Sequence, residues 1–133
     1  MKVIAVDYGS ARTGVAVSDA TGTIARPLGV VEGAGGEAGL NRLVELIRAE
    51  EAERVVVGLP LTLRGERGAQ AQETETFVEA LRAAVDVPVE SFDERFTTRL
   101  AQAGPTNPSE PDDARAAAHL LSSYLAWSSA GRE

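Results

Sequence analysis

The chain contains no cysteine, which excludes a disulfide scaffold, zinc–thiolate sites and any thiol nucleophile. Aromatic residues are scarce: one tryptophan, two tyrosines and three phenylalanines in 133 residues. There is no aromatic pair of the kind that stacks bases on an RNA-recognition sheet. Only Tyr8, Phe92 and Phe96 fall near strand ends where a base can stack. No apolar run approaches the roughly 20 residues of a membrane span. The opening MKVIAVDYG leads directly into a strand and lacks a signal-peptide layout. The expectation is a cytoplasmic protein with no membrane partner. Positive charge is also in deficit, with 13 basic residues against 20 acidic ones and a net charge of -7. That argues against a broad polyanion-binding surface. The acidity is local, however. Residues 32–54 set three arginines against six glutamates, and residues 73–90 set one arginine against five acids. Both segments read as helices whose acidic faces aid solubility; the loop-rich segments between them are close to neutral.

What the chain has in quantity is short β-branched runs separated by glycine. Residues 3–7, VIAVD, and 13–18, TGVAVS, read as strands joined by the Gly9–Arg12 turn. Residues 23–31 form a third, weaker strand, and Pro27 and Gly29 suit it to an edge. Strands so closely joined are antiparallel neighbours. The loop GAGGE leads to a helix over 39–50 with Leu40, Leu43, Val44, Leu46 and Ile47 in one stripe. The run at 54–58 has the continuous apolar character of a strand buried on both faces. A loop with Pro60, Gly65 and Gly68 precedes a helix over 70–85, with Phe77, Val78, Leu81 and Val85 inward. A strand over 87–92 follows, then DERFTT and a short helical stretch to Ala103. Residues 103–112 are irregular, and the last helix covers 113–127. The order βββαβαβα predicts a single α/β domain over residues 1–133 with a mixed five-stranded sheet flanked by helices.

In such sheets ligands collect at the carboxyl ends of the parallel strands. Asp7 ends the first strand, Asp93 follows the fifth, and Asp113 opens the last helix, on the stripe with Ala116, Ala117 and Leu120. An Asx-turn, a strand-end turn and a helix cap explain these three acids individually. Together on one rim they form a crowded set of carboxylates whose repulsion a divalent cation relieves. Oxygen-only ligation suits Mg²⁺ or Mn²⁺, and a metal-assisted phosphodiester hydrolase uses such a set. Gly9 and Gly14 keep the adjoining turn open to a phosphate, and the fork of Arg12 suits a phosphate oxygen. His119 reads as a surface or packing residue rather than a ligand.

Four segments, DYGSARTGVAVSD (7–19), VVVGLPLTLRGERGAQA (55–71), SFDERFTT (91–98) and DARAAAHLLSSYL (113–125), resemble the YqgF/RuvX family. Its members are assigned as Holliday junction resolvases and also described as pre-16S ribosomal RNA nucleases, with an RNase H-like fold. The resemblance covers almost the whole chain. It implies a metal-dependent nuclease acting in pre-16S rRNA 5′-end maturation, and in Holliday junction resolution. Asp7, Asp93 and Asp113 then match its catalytic, metal-binding positions. Glu94 stands as an alternative to Asp93. Gly9, Arg12, Arg64, Arg95, Thr97 and Thr98 are the nucleic-acid contacts. Many relatives carry lysines before the last helix, where this chain has TNPSEPD. The implied partner is RNA or branched DNA, and the implied assembly a monomer or weak homodimer. A non-catalytic RNase H-like binding module is the alternative. Actin-like ATPases also use a D-x-G turn, but they close two such domains around a nucleotide.

Overall fold

The computed structural model describes residues 1–60, 68–94 and 112–129. The elements run β1 (Val3–Asp7), β2 (Arg12–Ser18), β3 (Ala25–Glu32), α1 (Glu37–Ala49), β4 (Arg54–Leu59), α2 (Ala69–Ala84), β5 (Val89–Asp93) and α3 (Asp112–Ser129). They form a five-stranded sheet in the order β3-β2-β1-β4-β5. β1 is antiparallel to β2, with Asp7 opposite Gly14, and parallel to β4, with Val6 opposite Val57. β5 is parallel to β4, and Gly58 lies opposite Phe92. β3 is an edge strand, as its Pro27 and Gly29 require.

The third strand starts later than its composition suggests. The Asp19 carboxylate accepts hydrogen bonds from the backbone N–H groups of Thr23 and Ile24 at 2.8 and 3.0 Å and from the Thr21 hydroxyl at 2.5 Å. These bonds draw Thr23 and Ile24 into the turn and hold the Asp19 carboxyl down at about 2. The fifth strand likewise begins at Val89 rather than 87. The last helix begins at Asp112, so Asp113 is its second residue. The short helical stretch expected before Ala103 lies outside the described residues, as does the irregular stretch expected over 103–112 except for Asp112, which is helical rather than irregular.

The pleat sorts the sheet into two unlike faces. Ile4, Val6, Val15, Val17, Val55 and Val57 point to one side, packed by Leu43, Ile47, Phe77 and Leu81 of α1 and α2. Val3, Ala5, Ala16, Val56 and Phe92 point to the other, packed by Ala117, Leu120, Leu121 and Tyr124 of α3. The second face is paved with small residues, so α3 settles close to the sheet. At Gly14 the contact is direct: a Cβ there would overlap the Asp113 carbonyl and lie 3.1 Å from the Ala114 nitrogen. A missing methyl group thus places the start of α3 beside Asp7. No helix among the described residues is long and apolar enough to cross a membrane.

Candidate active site

Alternation places Asp7 on the α3 face, because Val3 and Ala5 of the same strand lie there. The same rule acts on β5. Phe92 is buried on the α3 face, so Asp93 turns to the opposite side and Glu94 returns. Gly58 makes room for that return. A Cβ at Gly58 would stand 2.6 Å from Glu94 Oε1 and 3.0 Å from Leu120 Cδ2. The Glu94 carboxyl therefore rests over β4, between the sheet and α3, and donates a hydrogen bond to the Asp7 carboxylate. Asp113 stands near enough to raise the proton affinity of Asp7. Its carboxylate is paired with Arg12, Nε to Oδ2 at 3.0 Å.

Burial is the main cause of the electrostatics here. It pushes Glu94 up to about 7, helped by the charge of Asp7, their hydrogen bond and the charge of Asp93. It raises Asp7 as well; the bond from Glu94 opposes that rise and the charge of Asp113 adds to it. Below about pH 7 a proton on Glu94 relieves the crowding, and the Arg12 guanidinium offsets the charge of Asp113. Among the described residues, no three acidic or imidazole side chains are spaced to close around an ion as they stand. The donor chemistry nevertheless fits a hard divalent cation: oxygen donors only, held at close quarters with their negative charge under strain.

The linkage gives a test of this crowding. Glu94 binds its proton more tightly in the folded protein than in the unfolded chain, where its value is near 4.5. Folding stability without metal therefore falls as pH rises from about 4.5 to about 7, and above both values the loss is complete. Glu94→Gln removes that loss. Thermal melts without divalent metal should show the variant a few degrees above wild type at pH 8 and level with it near pH 4.5. A variant that melts below wild type at pH 8 would mean that the carboxylate is not strained.

The structure brings Asp7, Asp113 and Arg12 together, with Glu94 among them. Asp93 is near enough to act on Glu94 by its charge, but its strand position faces away. Gly9 serves its own turn: a Cβ would overlap the Arg12 carbonyl, and the Thr13 hydroxyl bridges the Gly9 backbone. Gly14, read as open to a phosphate, instead receives the backbone of α3. Phe92 is buried against Tyr124 and Trp127, with ring centroids at 5.5 and 5.3 Å, and offers no face to a base. Tyr8 stacks on Phe77 at 4.3 Å. His119 is half-buried on α3, with its proton affinity lowered by burial and by Arg115, in keeping with a packing residue. Arg64, Arg95, Phe96, Thr97 and Thr98 lie outside the described residues.

The sequence model of the RuvX family, described as Holliday junction resolvase, matches residues 1–127. A relative from Desulforudis audaxviator that is named for pre-16S rRNA nuclease activity is 38% identical over 139 residues, with 99% of each chain covered. Another, from Chloroflexus aurantiacus, is 45% identical over 100 residues, covering 75% of this chain. The match spans 65% of that relative's length. Among solved structures, Thermus thermophilus RuvC in complex with a Holliday junction superposes with a TM-score of 0.71 at 19% identity, covering 98% of this chain and 96% of that one. At that identity the likeness is one of fold, the RuvC-like variant of the RNase H architecture.

Proposed function

This chain belongs to the RuvX family, and on that premise we propose that it is a divalent-metal-dependent nuclease, a single RNase H-like domain over residues 1–133 that hydrolyses phosphodiester bonds in the cytoplasm. Its substrate on this reading is the 5′ end of pre-16S rRNA, and branched DNA is the second candidate. It works as a monomer or a weak homodimer. The observation that carries the proposal is the hydrogen-bonded Asp7–Glu94 pair with Asp113 beside it on the α3 face.

Asp7, Glu94 and Asp113 are the proposed holders of Mg²⁺ or Mn²⁺, with Asp93 adding charge from the other side of the strand. A cation bound there supplies Lewis-acid charge to the phosphodiester. Glu94 must release its proton before it can ligate. Arg12 meets a non-bridging phosphate oxygen. Its pair with Asp113 is partly exposed on both sides, a kind of contact that contributes only about 0–1 kcal/mol, so Arg12 yields it readily to a phosphate. Arg64, Arg95, Thr97 and Thr98 complete the substrate contacts, and Gly9 holds the turn that presents Arg12.

Purified protein with Mn²⁺ or Mg²⁺ should be offered structured RNA, single-stranded RNA and a four-way DNA junction side by side. Metal-dependent cutting of the structured RNA is the expected result. Binding without cutting of any of the three would put the non-catalytic module ahead. Salt dependence is a further check. A net charge of -7 leaves only local phosphate contacts, so the log–log slope of binding against salt should be shallow, roughly -1 to -3. A slope near -7 would reveal a broad basic surface.

A further inference from the structure

Helix α1 is part of the acidic stretch of the chain, yet it carries an arginine to the active-site rim. Glu32 ends β3 and pairs with Arg12 at the start of β2. The Gly33 N–H donates to the Ala11 carbonyl at 3.1 Å and ties the two strand ends together. Arg42 of α1 donates from Nη2 to the Glu32 backbone carbonyl at 2.7 Å, which brings its guanidinium to the same end of the sheet. Arg12, Val30, Glu32 and Arg42 line an open trough of about 480 Å³. One wall, Arg12, is also the residue paired with Asp113. The trough thus begins where the carboxylate cluster ends and runs over the β2–β3 edge.

We propose that this trough seats the polynucleotide backbone beside the scissile bond, with Arg42 a positioning residue for a phosphate. The proposal rests on the nuclease reading for its substrate. The wall chemistry suits a phosphodiester strand. Two arginines and one glutamate line it; Arg12 is bonded to Asp113 through Nε and Arg42 to the Glu32 carbonyl through Nη2, and each guanidinium has five N–H donors. Val30 gives a patch of apolar wall for a sugar. Glu32 opposes the phosphate and keeps the affinity modest, which lets product leave.

The test is the affinity of full-length protein for fluorescein-labelled single-stranded RNA, read by anisotropy, with cleavage of the same RNA in Mg²⁺ followed separately. Arg42→Glu should raise Kd roughly tenfold and make the salt slope shallower by about 0.7. Arg42→Lys should recover part of the loss. Glu32→Gln should bind more tightly than wild type, a direction that structural damage does not produce. Melting curves of each variant guard against misfolding. If Arg42→Glu and Glu32→Gln both bind as wild type does, the trough assignment is overturned, whether or not the protein cuts. If the variants shift Kd as expected but wild type cuts nothing, the trough stands and the nuclease reading falls.

Discussion

Asp7→Asn should reduce metal-dependent cleavage by more than about 100-fold, the upper end of what even a supporting residue costs a metal site, while the protein stays folded. The amide keeps the shape of the side chain and its reach to Glu94, accepting from the protonated carboxyl and donating to the ionised one. It lacks the negative charge that a divalent ion needs. Burial and the charge of Asp113 already disfavour the ionised form of Asp7, so without metal the variant should melt at or above wild type at pH 8. Cleavage rates and thermal melts on one preparation separate the two effects. Wild-type cutting by Asp7→Asn would place the chemistry elsewhere. A variant that loses both activity and fold would make Asp7 a structural residue.

Gly14→Ala should have the largest effect on stability. Its Cβ would overlap the backbone of Asp113, and neither β2, held between β1 and β3, nor the first turn of α3 can move without disturbing a packed neighbour. Overpacking of this kind costs about 1–3 kcal/mol or more, a fall in Tm of roughly 5–15 °C for a domain of this size. Displacement of α3 also carries Asp113 away from Asp7, so cleavage should fall as well. Gly29→Ala is the control, since nothing lies within 4 Å of the position its Cβ would take. Its melt should match wild type. Equal melts for Gly14→Ala and wild type would mean that α3 does not seat on that glycine.

Much of this architecture is legible in the residues. The runs VIAV and VVV give β1 and β4 because β-branched side chains favour a pleated, buried surface, and Pro27 marks the edge. The opposite facing of Asp93 and Glu94 is also written in the chain, in the parity of Phe92-Asp93-Glu94, but only once Phe92 is known to face α3. That knowledge is tertiary: it depends on Tyr124 and Trp127 of α3 meeting Phe92 on that face. For the same reason Phe92 looks available for base stacking in the sequence and is buried in the fold. Gly58 gave no signal beyond ending an apolar run; its value is the space it leaves for Glu94. Arg42 was hidden by its neighbours. A net-acidic segment says nothing about which of its residues reaches the rim, and only the pairing of Arg12 with Glu32 brings it there.

The proposed site for a divalent cation lies on the α3 face of the rim, between Asp7, Asp113 and Glu94. Calorimetric titration of Mn²⁺ into wild type, Asp93→Asn and Glu94→Gln at pH 8 separates it from a site on the other face, because the pleat sets the two neighbouring acids apart. Asp93→Asn should bind Mn²⁺ within about tenfold of wild type, as expected of a charge outside the ligand set, and Glu94→Gln should lose most of the binding. Retained binding in Glu94→Gln together with its loss in Asp93→Asn would move the ion to the Asp93 side of the sheet.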